Sequence, residues 1–221
     1  MTASRRAIFH GCLLAAALTS GMATAATPAQ VASFFRAVQV DNVSAVKEMV
    51  GKEVNPNEIN PVGGEPALVL AVREGSMRVF DALLAHPGLD LEARAMNGNT
   101  ALMMAAFKNN KRAAEALLAK GAQVNRAGWT ALHYAAAGGS EDIARLLIAR
   151  KARLDTPSPK ESGAYTPLMM AAREGQPGMV RLLLEAGAKP QPRNTEGLTA
   201  AQIAERAGQT DIAAAIAGFK R

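Results

Sequence analysis

Thr130-Ala131-Leu132-His133-Tyr134-Ala135-Ala136 is the stretch that decides the fold, because four others line up with it. They are Pro66-Ala67-Leu68-Val69-Leu70-Ala71-Val72, Thr100-Ala101-Leu102-Met103-Met104-Ala105-Ala106, Thr166-Pro167-Leu168-Met169-Met170-Ala171-Ala172 and Thr199-Ala200-Ala201-Gln202-Ile203-Ala204-Glu205. Their starts are 34, 30, 36 and 33 residues apart. A period of that size marks a solenoid in which every unit is one supersecondary element. A polar turn follows each stretch, often with glycine (Gly75, Gly139, Gly175, Gly208). A second apolar segment comes next, such as Ile143-Ala144-Arg145-Leu146-Leu147-Ile148 or Val180-Arg181-Leu182-Leu183-Leu184. That order gives two antiparallel helices per unit.

The residue types suit such a stack. A Thr oxygen at a helix start accepts from an orphan backbone N–H, and a following Pro is tolerated at the first helical position, as in Thr166-Pro167. Paired alanines let neighbouring first helices approach closely, while the Leu pairs of the second helices fill the space between units. Glycine after the second helix permits a left-handed cap. One unit alone cannot bury its apolar face, so stacking makes the core. Composition agrees: 49% of residues are apolar but only 4% aromatic, and no Val, Ile and aromatic runs bounded by turn residues announce strands.

These residues resemble the ankyrin repeat, with its period of about 33 and its Thr-Pro-Leu-His-x-Ala opening. Lys120-Gly121-Ala122-Gln123-Val124-Asn125 and Glu185-Ala186-Gly187-Ala188 are similar to the family's exit from the second helix. The resemblance covers nearly all of the chain beyond residue 25. It implies an all-α solenoid of helix-turn-helix units with β-hairpin-like finger loops. The expected units are 27–62 as an N-terminal cap without the Thr-x-Leu opening, then 63–95, 96–126, 127–161, 162–194, and 195–221 as a C-terminal cap. Ala201 replaces the usual Leu in the last unit, whose Ala-rich second helix, Ile212 to Ala217, fits a more soluble outer side. The spacing of 30 before Thr130 makes the finger Asn125-Arg126-Ala127-Gly128-Trp129 about three residues short. The spacing of 36 before Thr166 lengthens 156–163, which is expected to project and be mobile. Lys151 stands where the family has Gly, a departure at the cap of that helix.

Met1 to Ala25 has the pattern of a secretory signal: Arg5 and Arg6, an apolar stretch, then Ala23-Thr24-Ala25 as a cleavage site. Polar interruptions at His10, Gly11, Thr19, Ser20 and Gly21 argue against a membrane anchor. A lipoprotein would need Cys12 after the apolar stretch, and here Leu13 to Leu18 follow it. Cleavage after Ala25 removes the single cysteine, so the exported chain must be stable without a disulfide. It also removes Arg5 and Arg6, so 25 basic residues become 23 against 19 acidic ones, a net charge of +4. Mild basicity without interleaved aromatics, together with export, argues against a nucleic-acid partner.

Catalytic patterns are absent: there is no Gly-x-Ser-x-Gly, no Gly-x-Gly-x-x-Gly and no phosphate-binding loop ending in Gly-Lys-Ser/Thr. No cysteine survives cleavage and no His pair is spaced i, i+4, so no zinc site or other cofactor is expected. His133 occupies the His of the family opening, where the resemblance implies a ring hydrogen-bonded to neighbouring backbone. His86 lies at a helix end, where a turn or dipole role accounts for it. Single carboxylates such as Glu74, Glu115, Glu141, Asp142 and Glu174, and the basic run Arg150-Lys151-Ala152-Arg153, read as solvated helix faces and ends.

Recognition of a protein partner is therefore the expected function, with no cofactor, no metal and a monomeric chain. Carry-over from the family pattern selects the finger position before each Thr, namely Asn99, Trp129, Tyr165 and Leu198, with Met96 and Asn97 completing one finger. It also selects the two positions after the paired alanines, including Phe107, Lys108, Arg173 and Glu174. The only Trp and one of two Tyr fall at equivalent finger positions in adjacent units. Small Ala137 and Gly138 beside Phe107 would leave a shallow apolar trough rimmed by Lys108, Arg173 and Glu174. Aromatics that line such a trough are frequent interface anchors. The competing expectation is that Trp129 folds over its short finger and Tyr165 packs against the insertion. The sequence is compatible with a periplasmic adaptor or inhibitor, with an immunity protein that blocks a toxin in the same compartment, and, remotely, with an enzyme grafted on the repeats.

Overall fold

The computed structural model describes residues 25–220, so the expected signal, 1–25, lies outside the described residues but for Ala25. Twelve α-helices follow one another among these residues. They form pairs: α1 (Pro28–Gln39) with α2 (Val43–Met49), α3 (Ala67–Glu74) with α4 (Met77–Leu84), α5 (Ala101–Phe107) with α6 (Lys111–Ala119), α7 (Ala131–Gly138) with α8 (Glu141–Ala149), α9 (Pro167–Arg173) with α10 (Pro177–Ala186), and α11 (Ala200–Arg206) with α12 (Thr210–Ala217). Odd-numbered helices pack on one another in an inner row and even-numbered helices in an outer row. The fold is an all-α solenoid.

Local chemistry starts each inner helix where the sequence places it. Thr100, Thr166 and Thr199 accept from the backbone N–H three residues on, at 3.4, 3.3 and 3.4 Å. Pro167 occupies the first position of α9, where its missing N–H costs nothing. The paired alanines Ala105, Ala106, Ala135, Ala136, Ala171 and Ala172 are all fully buried. Between α5 and α7 the approach is close enough that a Cβ on Gly138 would sit 2.7 Å from the Phe107 carbonyl oxygen. In the outer row Leu83, Leu117, Leu147 and Leu183 carry the core, all without exposed surface.

Lys151 keeps the cap that glycine makes elsewhere. Its φ is 64°, and the bonds Lys151 N–H to Ile148 O (2.9 Å) and Ala152 N–H to Leu147 O (3.0 Å) repeat those that follow Gly121 and Gly187. The chain accepts left-handed strain at a non-glycine residue because two otherwise orphaned carbonyls are satisfied. In the last helix Ala214, Ala215 and Ala217 face outward and are exposed, as expected of a terminal unit.

A second set of bonds ties the outer loops together. The side chains of Asn57, Glu92, Asn125 and Asp155 each accept from a backbone N–H of the next unit, at Asp90 (2.7 Å), Gln123 (2.8 Å), Arg153 (2.8 Å) and Lys189 (2.9 Å).

The fingers depart from the expected regularity. Each long finger is closed by one backbone bond, from Asn60 to Glu65, Ala95 to Asn99, Ser158 to Tyr165 and Asn194 to Leu198. The lengthened loop 156–163 is anchored at its start, while Lys160, Glu161 and Ser162 stay exposed. Ser158 is buried, a 3-10 turn spans Lys160–Ser162, and Pro159 lies against Gly128 of the short finger. Three residues lost from one finger leave room, and the longer next finger enters part of it through Pro159.

Candidate functional site

The concave side of α5, α7 and α9 holds a groove of about 380 Å³. Phe107 closes one side from the end of α5. Tyr134 and Ala137 of α7 form the floor, Met170 and Arg173 of α9 with Glu174 just after it form the far wall, and Trp129 enters from the short finger. The rings pack edge to face: Phe107 and Tyr134 centroids are 6.3 Å apart at 87°, Trp129 and Tyr134 6.1 Å at 60°, and Trp129 and His133 5.3 Å at 77°. Such contacts hold aromatic faces in place while leaving them half open to water.

Polar contacts fix this cluster from below. The Tyr134 hydroxyl donates to Asn99 Oδ1, and burial pushes the phenol above its ordinary pKa. His133 Nδ1 accepts from the Thr130 N–H at 3.1 Å, so Nε2 carries the proton and donates to the Tyr165 carbonyl at 3.0 Å. The ring thus ties the helix start to the next finger, as the family resemblance implies. Burial holds the His133 pKa down at about 4, despite the carbonyl acceptors that favour the charged form.

The expected site residues fall in different places. Phe107, at 51% exposure, and the half-buried Trp129 meet Arg173 and Glu174 in the groove. Lys108 is exposed beside Phe107 but does not line the groove. Met96, at 89% exposure, and Asn97 lie farther along the concave side with Arg73 and Met104. Leu198 is half-buried against the core, away from the groove.

Two expected finger contacts are corrected. Asn99 is buried, because its side chain receives the Tyr134 hydroxyl and its backbone closes the finger. Tyr165 is also buried, in line with the competing expectation that it packs against the insertion. Its N–H donates to Ser158 Oγ at 2.9 Å, its carbonyl accepts from His133 and Ser158, and its ring lies 5.0 Å beneath the Arg173 guanidinium. The insertion consumes Tyr165 as local packing, so it supports Arg173 from behind instead of meeting a partner.

Tyr134 and Met170 were not anticipated as site residues. Both sit four residues after the unit's Thr, a position occupied elsewhere by Leu70, Met104 and Ile203. That position is buried in most units. It is half-buried at Met104 and Tyr134, and the tyrosine in an otherwise aliphatic column was the signal.

Among the described residues no helix is long and apolar enough to cross a membrane. The family model for ankyrin repeats (3 copies) matches residues 34–127, 70–158, 124–194 and 154–220. The chain is similar to transient receptor potential cation channel subfamily A member 1 of Homo sapiens, 30% identical over 71% of this chain and 15% of that protein. It is similar to Protein glp-1 of Caenorhabditis elegans, 30% identical over 80% of this chain and 15% of that protein. It also matches Tyrosine-protein kinase Shark of Drosophila melanogaster, 29% identical over 76% of this chain and 18% of that protein. The chain thus spans less than a fifth of each of these relatives.

Proposed function

The chain belongs to the ankyrin-repeat family, whose repeats are generally protein–protein interaction modules, and from that premise we propose that it is a non-catalytic adaptor or inhibitor that holds one protein partner in the groove of Phe107, Trp129 and Tyr134. The observation that carries this is three aromatic rings gathered at one concave site, with the side chain of Phe107 half exposed. Exposed aromatic surface is costly unless a partner covers it, and residues of this kind dominate interface energetics. The flanking Arg173–Glu174 pair at 2.9 Å supplies a polar rim. His133, the one histidine in the groove, has both ring nitrogens committed to the fold.

We further propose that the chain works outside the cytoplasm, in the periplasm, after cleavage behind Ala25. Arg5, Arg6 and Ala23-Thr24-Ala25 support this. Fractionation of the native cell with mass measurement of the mature chain tests the location, and a full-length cytoplasmic protein would refute it.

The binding role is tested by capture from the envelope fraction, comparing the mature chain with a Phe107→Ala, Trp129→Ala double variant of unchanged melting behaviour. A partner held by the first and lost from the second is the expected result. Equal capture by both would move the site to another surface.

A further inference from the structure

Adjacent fingers in a regular part of the stack are joined edge to edge. The Met96 N–H donates to the Gly64 carbonyl at 2.7 Å, and the Thr195 N–H donates to the Gly163 carbonyl at 3.0 Å. The equivalent carbonyls in the middle of the molecule belong to Gly98 and Gly128. Among the described residues neither accepts a backbone bond, because the short finger lacks the residue that would donate to Gly98. The ladder of fingers is broken at this point only on its central rungs, and a cleft of about 290 Å³ opens there. Asn97 and Gly98 form one wall, Pro159 and Ser162 the other, and Gly128 and Trp129 the floor.

Two features say what fits the cleft. Trp129 lines both the cleft and the concave groove, so its ring is shared between the two. The charged side chains lining the cleft are both arginines. Arg126 is paired with Glu92 at 2.7 Å, whereas Arg94 is exposed and has no carboxylate partner among the described residues.

We propose that an extended, acidic segment of the protein partner lies in this cleft as a surrogate finger strand. It donates a backbone N–H to the Gly98 carbonyl, sets a carboxylate against Arg94, and turns an aromatic or long aliphatic side chain over Trp129 into the groove. Main-chain bonding to an open edge supplies affinity, and the alternating side chains supply specificity. This inference rests on the binding reading above but assigns the occupant's backbone form, its charge and its path.

The test uses a display library of random 12-residue peptides, selected on the mature chain, followed by affinity measurement with the best labelled peptide. Enrichment of Asp or Glu within a few positions of Trp, Phe or Leu is expected. N-methylation at a single backbone position should weaken binding about tenfold, as should Arg94→Glu. A variant with Asp-Lys-Asn inserted between Arg126 and Ala127, which restores the finger length and fills the cleft, should lose the peptide while keeping its melting behaviour. Should that insertion unfold the chain, the Arg94→Glu and N-methyl results decide alone. Peptides without acidic bias, binding indifferent to N-methylation, or no enrichment over bare resin would each overturn the proposal. Peptides that survive the insertion but are lost in Phe107→Ala would refute the cleft and leave the groove standing. Peptides indifferent to both would refute both.

Discussion

His133 shows how much one residue carries. Its ring joins the Thr130 N–H to the Tyr165 carbonyl and packs against Trp129, and burial keeps it neutral with a pKa of about 4. Unfolding returns the ring to an ordinary value near 6.5, so between these limits the unfolded chain binds more protons than the folded one. Stability is therefore fully present above about pH 6.5 and falls as the pH drops toward 4, by roughly 3 kcal/mol for a shift of this size. His133→Met, copying Met103 and Met169 at the equivalent positions, should cost about 1 kcal/mol at neutral pH through the lost bond to Tyr165. Denaturant melts of both chains from pH 7 to pH 4 check this, since carboxylates common to the two cancel in the difference. Parallel pH profiles would show that His133 titrates normally in the fold. The ring's structural part was legible in the Thr-x-x-His spacing. The burial of Tyr165 was legible only as one of two alternatives, because it depends on the insertion folding back over Gly128, and sequence spacing gives a loop's length without its direction.

The groove is a property of how three elements meet. Phe107 and Trp129 were marked by their positions in the repeat, and the spacing of 30 before Thr130 foretold a short finger. The half-buried Tyr134 on α7 needed the stack itself, because the same position is buried as Leu70, Met170 and Ile203 and half-buried as Met104. Gly138 sets the approach of α5 to α7. An added Cβ would lie 2.7 Å from the Phe107 carbonyl oxygen, a backbone atom that can yield only if α5 moves. Gly138→Ala should therefore destabilise the chain by about 1–3 kcal/mol, as over-packing does, and displace Phe107 from the groove. Thermal melts read the first effect, and weaker capture of a partner at matched folded fraction reads the second. An unchanged melt would mean that the α5 and α7 contact has slack.

Across the whole molecule, cohesion between units comes from neighbours alone, as in any one-dimensional stack. The buried alanines and leucines were readable at every period. The row of Asn57, Glu92, Asn125 and Asp155 was not, because its members differ in type and act through their side-chain oxygens on the next unit's backbone. Asn125 sits at the centre, accepting from the Arg153 N–H and donating to the Lys151 carbonyl, each at 2.8 Å. Asn125→Ala should cost about 1–2 kcal/mol and lower the cooperativity of unfolding between the halves of the stack. A shallower urea transition is the sign to look for, and a transition of unchanged midpoint and slope would rule the row out as a structural tie. The central claim is that the concave aromatic groove receives the partner, and the molecule carries its own reporter there, because Trp129 is the only tryptophan in the chain. Titrating the captured partner into the mature chain should shift Trp129 fluorescence saturably, and Phe107→Ala should weaken that titration at least about tenfold. A partner that binds with equal affinity to both chains and leaves Trp129 emission unchanged would place recognition elsewhere and contradict the account.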